Sequence, residues 1–271
     1  MFLSIKKKMD FILSVYKELL QALQLRDFLF LTFSQYIEQQ LLTDKRLIIL
    51  RHDVEARYGN ALRMAEFQHS MGIRGSYYFR ITGRPGNEEV IRKIAALGHE
   101  IGYHYDDLSV CRGNHEKAME RFQANLAYLR RFAPVTTITM EGAPLSRYDN
   151  REIWKKYDYR SMGILAEPYF DIDFNELFYI TDTGRRWDGH LYNVRDKATK
   201  ENPVTNPEFL KLRYHSTHDI IRDVENNDFP RQSMLNFHPQ RWHDKPLPWI
   251  KELFWQNAKN QVKRMLVNFR N

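Results

Sequence analysis

The apolar positions of the chain follow two rhythms. Over residues 9–42, Phe11, Ile12, Val15, Leu19 and Leu20 recur at helical spacing and predict N-terminal helices through about residue 44. From residue 46 short apolar runs alternate with amphipathic ones. The runs 46–51 (RLIILR), 75–81, 100–104, 135–141, 163–167, 177–182 and 234–238 (MLNFH) read as strands. Helices are expected at 60–70, at 88–97 with Asn87 as cap, at 116–132, after an Asp149 or Asn150 cap, at 207–213 and 217–225, and at about 248–267. Strand-helix alternation of this kind implies a largely parallel sheet, closed into a barrel or left open. With no repeat, low-complexity tract or linker, residues 1–271 form one domain, and residues 1–44 pack on it as helices.

In such α/β folds the chemistry gathers at the C-terminal ends of strands, where the βα loops converge. The residues that end the predicted strands are ionisable: His52-Asp53-Val54-Glu55, Arg80, His104 with Asp106 and Asp107 beyond it, Glu141, Glu167, Asp182 and His238. Asp53 and Glu55 are two apart, and in extended chain they share a side; the bland alternative is a helix cap in a solvated turn. His104, after a short apolar strand and with Asp106 and Asp107 nearby, suits a divalent ion, although a single histidine is more often a packed structural residue. His99 lies at the start of the same strand and belongs at the other end of the barrel. His238 precedes a proline that stops its strand; it suits proton donation to a leaving amine, or equally a structural tie to the loop backbone. Arg80, Glu141, Asp182, Arg185, Arg186, Trp187 and Arg241 are candidates for substrate binding. Arginine beside tryptophan suits anion capture and sugar stacking, and equally a surface hairpin.

Composition narrows the classes. The formal net charge is +7, but the basic residues are scattered, with one tight run at Lys6-Lys7-Lys8, and no zinc-finger spacing or RNA-binding aromatic signature accompanies them. No nucleic-acid partner is expected. The lone Cys111 excludes an intramolecular disulfide. Charges interrupt the N-terminal apolar run before signal-peptide length, and no apolar stretch reaches spanning length. A cytoplasmic location without a membrane span is expected.

The segments LRHDVE, SYYFRI, GHEIGYHYDDLS, MEGAPLS and LNFHPQRW occur in an order that resembles the polysaccharide deacetylases of carbohydrate esterase family 4, over about residues 46–240. The resemblance implies a distorted seven-stranded (β/α) barrel, a divalent metal, usually zinc, and removal of N- or O-acetyl groups from sugars. It places Asp53 as catalytic base and His238 as catalytic histidine. It makes His104 the first metal histidine and Glu55 the metal-binding acid, because Val54 stands at the usual position. The second metal histidine would be residue 108, which is leucine, with Asp106 or Asp107 as substitutes; the usual Arg-x-Pro arginine is replaced in GAPLS, where Glu141 stands upstream. The expected substrate is an acetylated, anionic sugar, a precursor of a surface polysaccharide such as O-antigen. The rivals are a catalytically silent carbohydrate-binding barrel and a metal-dependent isomerase or phosphoesterase.

Overall fold

The computed structural model describes residues 9–39, 44–82, 88–143, 146–187 and 203–256. The expected cap Asn87, the Lys6–Lys8 run and the last helix past residue 256 lie outside them. The elements in order are α1 (Leu13–Leu25), β1 (Leu29–Leu31), α2 (Phe33–Gln39), β2 (Leu47–Val54), α3 (Tyr58–Ser70), β3 (Ser76–Phe79) and α4 (Glu88–Ala96). They continue with β4 (Glu100–Tyr105), α5 (Asp107–Val110), α6 (His115–Arg130), β5 (Ile138–Met140), α7 (Pro168–Asp171), β6 (Phe178–Thr181), α8 (Pro207–Lys211), α9 (Thr217–Glu225) and β7 (Gln232–Phe237).

Every strand pairing is parallel, in the order β5-β4-β3-β2-β7-β6, with β1 beside the first half of β2 and β3 beside its second half. The sheet curls into a half-barrel flanked by helices. Seven strands are present, as expected, but not the expected seven. The N-terminal region is not helical throughout. Asp27 adopts a left-handed backbone (φ 57°) that closes α1, and Leu29–Leu31 then joins the sheet against Leu47–Ile49. The run 163–167 shrinks to a single bridge, Thr137 to Ala166. Gly163 (φ 72°) caps a short 3-10 turn on one side and Pro168 opens α7 on the other, which leaves too little chain for a ladder.

β2 is buried along its whole length, and its two faces divide the labour. Arg51 and Asp53 bond to each other on one face, where the Arg51 guanidinium also lies over Tyr78, Tyr169 and Tyr179. His52 points to the helices on the other. At Gly102 in β4 an added Cβ would lie 2.3 Å from the Tyr78 ring, so only glycine lets that ring cross the strand.

His52 stacks on Tyr77 at 4.1 Å, donates from Nδ1 to the Ser76 carbonyl (3.2 Å), and turns Nε2 to the Tyr16 hydroxyl (3.0 Å) and Gln68 (3.1 Å). His99, at the start of β4 as expected, accepts from the Gly75 amide and bonds the Ala65 carbonyl. Burial lowers the His52 pKa to about 3 and that of His99 to about 4. The unfolded chain takes up these protons near pH 6.5, whereas the folded chain resists them until far lower pH. Their contribution is therefore complete above pH 6.5 and lost as pH falls toward 4. Between pH 7 and pH 5 each histidine should remove about 2 kcal/mol of stability. Urea unfolding at both pH values should show His99→Gln, which can keep both hydrogen bonds, losing about 2 kcal/mol less than wild type. A parallel fall in the two proteins would show that His99 does not titrate in this way.

Candidate active site

The C-terminal ends of the strands bring one group of side chains together. Glu55 follows β2, His104 lies in β4 and Glu141 follows β5. One ligand atom from each lies within 4.8 Å of the others, the one such metal-type cluster among the described residues. His104 donates from Nδ1 to the Thr139 carbonyl (3.1 Å), which aims Nε2 inward, 3.3 Å from Glu141 Oε2 and 3.9 Å from Asp53 Oδ2. This is how metal-binding imidazoles are usually oriented. Burial alone would strip the His104 proton, but Asp53 and Glu141 outweigh it and raise the pKa to about 9. The pocket thus favours positive charge at this point.

Asp53 is buried and fully bonded. Arg51 grips it with Nε (2.9 Å) and Nη2 (2.8 Å), and Asn236, paired with Arg51 across β2–β7, donates to Oδ2 (2.8 Å). Burial raises its pKa, but Arg51, His104 and His238 together hold it below the ordinary range, so Asp53 is a carboxylate at neutral pH. Glu55, beside the charge of Glu141 and poorly hydrated, is shifted upward.

On the far side, His238 follows β7 and Asp182 follows β6. Asp182 accepts from the His238 amide (3.0 Å) and Nδ1 (2.6 Å), from Arg241 Nη1 (2.7 Å) and from Trp242 Nε1 (2.7 Å). Burial raises its pKa, yet Arg241 and His238 bring it below the ordinary value. The Asp182 bond fixes the His238 tautomer and aims Nε2 at Glu55 Oε1, 3.4 Å away.

The residues fit a divalent ion. Glu141 Oε2 is buried and makes no hydrogen bond, while its Oε1 accepts from the Ala143 amide. A buried carboxylate oxygen with no hydrogen bond, its near neighbours an oriented imidazole at 3.3 Å and a second carboxylate, belongs to a donor set that a hard or borderline cation satisfies. Glu55, His104 and Glu141 would hold it.

The other expected site residues sort differently. Asp106 and Asp107 do not join His104. The strand ends at Tyr105, and the start of α5 turns both acids away from His104 into a buried pairing with Arg121 of α6, with Arg80 Nε also on Asp106 (2.6 Å) and Tyr103 on Asp107. Trp187 is buried, donates from Nε1 to Thr217, and packs on Phe11 and Phe237, which leaves no face for a sugar. Arg185 is buried between Phe11 and Trp249 and donates to the Trp249 carbonyl, with burial lowering its pKa to about 10. Arg186 is half-buried in the same turn. Asp182 and Arg241, expected to bind substrate, are bonded to each other and serve His238. Glu141 sits with His104 rather than at the rim. Arg80 remains a third exposed beside the cluster, near Glu141. Val54 and Leu108, at the two positions where the resembling family has metal ligands, are buried in the core.

Arg51, Asn236 and Trp242 were not anticipated. Arg51 shares the strand parity of Asp53, and a charge inside an apolar run was its available signal. Asn236 shares the parity of His238 on β7.

No protein-family model matches this sequence, and no curated protein matches it. Solved structures similar to the chain include a family 4 carbohydrate esterase from Bacillus anthracis, 12% identical over 89% of this chain and 84% of that one, TM-score 0.42. A CE4 esterase from Streptococcus mutans is 13% identical over 84% and 85% of the two chains, TM-score 0.44. The catalytic domain of a peptidoglycan N-acetylglucosamine deacetylase from Eubacterium rectale is 13% identical over 79% and 85%, TM-score 0.45.

Proposed function

We propose that this chain is a divergent member of carbohydrate esterase family 4 that hydrolyses an N- or O-acetyl group from a sugar, in the cytoplasm, on the way to a surface polysaccharide. The observation that carries this is the convergence of Glu55, His104 and Glu141 within 4.8 Å, with the carboxylate of Asp53 on one side and the Asp182–His238 pair on the other.

A divalent ion held by Glu55, His104 and Glu141, zinc if the resemblance to family 4 extends to the metal, would polarise the acyl carbonyl and acidify a water. The chain's own groups handle the protons. Asp53, held ionised by Arg51 and Asn236, takes a proton from the attacking water as its oxygen adds to the acyl carbon. His238 then delivers a proton from Nε2 to the departing sugar nitrogen or oxygen, and acetate is released. Asp182 keeps Nε2 pointed inward, as an acid partner of a catalytic histidine does. Arg80 is the arginine placed to meet an anionic group on the sugar.

Metal content tests the ligand set. Wild type loaded with zinc should retain about one ion per chain with micromolar affinity or better. His104→Ala and Glu141→Gln should weaken binding by about 100-fold or more, because loss of even an outer partner of a metal site costs about 10- to 100-fold. Unchanged binding in Glu141→Gln would remove Glu141 from the set.

A second reading is a silent carbohydrate-binding barrel. It is favoured by Val54 and Leu108, whose burial in the core removes two ligands of the family pattern. Absence of metal binding by wild type would favour it.

A further inference from the structure

A helix at residues 246–256 follows the His238 loop; it packs inward through a mixed side that includes Trp249 and Leu253, and shows apolar side chains to solvent. Its inward positions include Glu252 and Gln256, 9% and 3% exposed, with Glu252 held 3.8 Å from Arg57. Its outward positions include Leu247, Ile250 and Phe254, 81%, 44% and 73% exposed. A helix resting on a protein core buries its apolar stripe and shows its polar one. Here the spacing of three and four residues that normally marks a core face marks the solvent face instead.

The helix borders the site. Glu252 meets Arg57, two residues past Glu55, and the Trp249 carbonyl accepts from Arg185, three residues past Asp182. The helix that carries the apolar stripe therefore sits at the same end of the sheet as the strand-end cluster.

The charges around the stripe indicate what covers it. Lys245 and Lys251 flank it in the exposed positions. From Pro246 to the end, the sequence carries five basic residues (Lys251, Lys259, Lys263, Arg264 and Arg270) and one acid, Glu252, itself turned inward. Large aliphatic and aromatic side chains edged by cations match the boundary of an anionic bilayer, in which the apolar face enters the acyl region and the lysines meet phosphate headgroups. No helix among the described residues is long and apolar enough to cross a membrane, so contact by this element is along the surface.

We propose that this helix docks the protein on an anionic lipid surface, with the strand-end cluster on the docked face. The reading goes beyond the deacetylase assignment and does not depend on turnover.

Cosedimentation of the full chain with vesicles tests it, using phosphatidylcholine alone and phosphatidylcholine mixed with phosphatidylglycerol. Wild type should bind the mixed vesicles more strongly than the neutral ones, and binding should weaken with salt. The triple variant Leu247→Gln, Ile250→Gln, Phe254→Gln should lose on the order of 100-fold in affinity for mixed vesicles, as three apolar side chains stop being buried. Its melting temperature should stay within a few degrees of wild type, because these positions face solvent. Failure of wild type to bind mixed vesicles at low salt would overturn the proposal. So would equal binding by the triple variant, or a wild-type dimer that the substitutions convert to monomer without vesicle binding, which would assign the stripe to a second copy of the chain. Failure of wild type to bind mixed vesicles while it hydrolyses soluble acetylated sugars would overturn this proposal alone. Binding without hydrolysis would overturn the deacetylase reading alone.

Discussion

Asp53→Asn and His238→Ala should each lower the rate of acetate release by about 10²- to 10⁴-fold, the usual worth of a positioned acid or base. The expectation follows from how each group is held. Asp53 is kept ionised by Arg51 and faces His104 across 3.9 Å, so the asparagine variant keeps the shape and loses the proton acceptor. His238 keeps its ring fixed through a 2.6 Å bond to Asp182, and alanine removes the ring proposed to deliver the proton. Substrate affinity should change far less, because neither group is required to grip the sugar. The double variant should lose much less than the product of the single losses, since the two act in one proton circuit. Steady-state kinetics of the three variants, with circular dichroism to confirm folding, checks this. Full activity in either single variant would take that residue out of the mechanism.

Asp182→Ala should destabilise the fold by about 3–5 kcal/mol, the cost of stranding one partner of a buried charge pair. Asp182 is fully buried and accepts from the His238 amide, the His238 ring, Arg241 and Trp242. Alanine leaves the Arg241 guanidinium, 7% exposed, without its 2.7 Å partner, and leaves three further donors, the His238 amide, the His238 ring and the Trp242 indole, unpaired. The melting temperature should fall by about 10 °C for a chain of this size. Pairing the change with Arg241→Met should recover part of that loss, because the stranded charge is then gone. Thermal unfolding of the single and double variants decides it. A drop of a degree or two for Asp182→Ala would mean that the Asp182–Arg241 pair does not hold the β6–β7 ends together.

The alternation of short apolar runs with helical patterns was enough to read a parallel α/β sheet, because burial on both sides makes strands such as RLIILR continuous in apolar residues. β1 was hidden because Phe28, Phe30 and Phe33 continue the apolar spacing of the preceding helix, and only the left-handed Asp27 breaks it. The strand-end rule found Asp53, Glu55, His104, Glu141, Asp182 and His238. Their division of labour was harder to see, since it depends on which strands are neighbours. Glu141 reaches His104 because β5 pairs with β4, and Asp182 reaches His238 because β6 pairs with β7. Asp106 and Asp107 looked like ligands from their closeness to His104 in sequence. Their true partner, Arg121, lies on a later helix. Trp187 beside two arginines suited a sugar platform equally with a surface hairpin, and it is neither: Thr217 and Phe237, both distant in sequence, make it core.

The most direct measurement is acetate release by the wild-type chain across a panel of N- and O-acetylated sugars, before chelation, after it, and after zinc is restored. Activity that is lost with the metal and returns with it is the expected result. No release from any sugar by a chain shown to hold its metal, or release that survives complete removal of the metal, would contradict a metal-dependent deacetylase at this site.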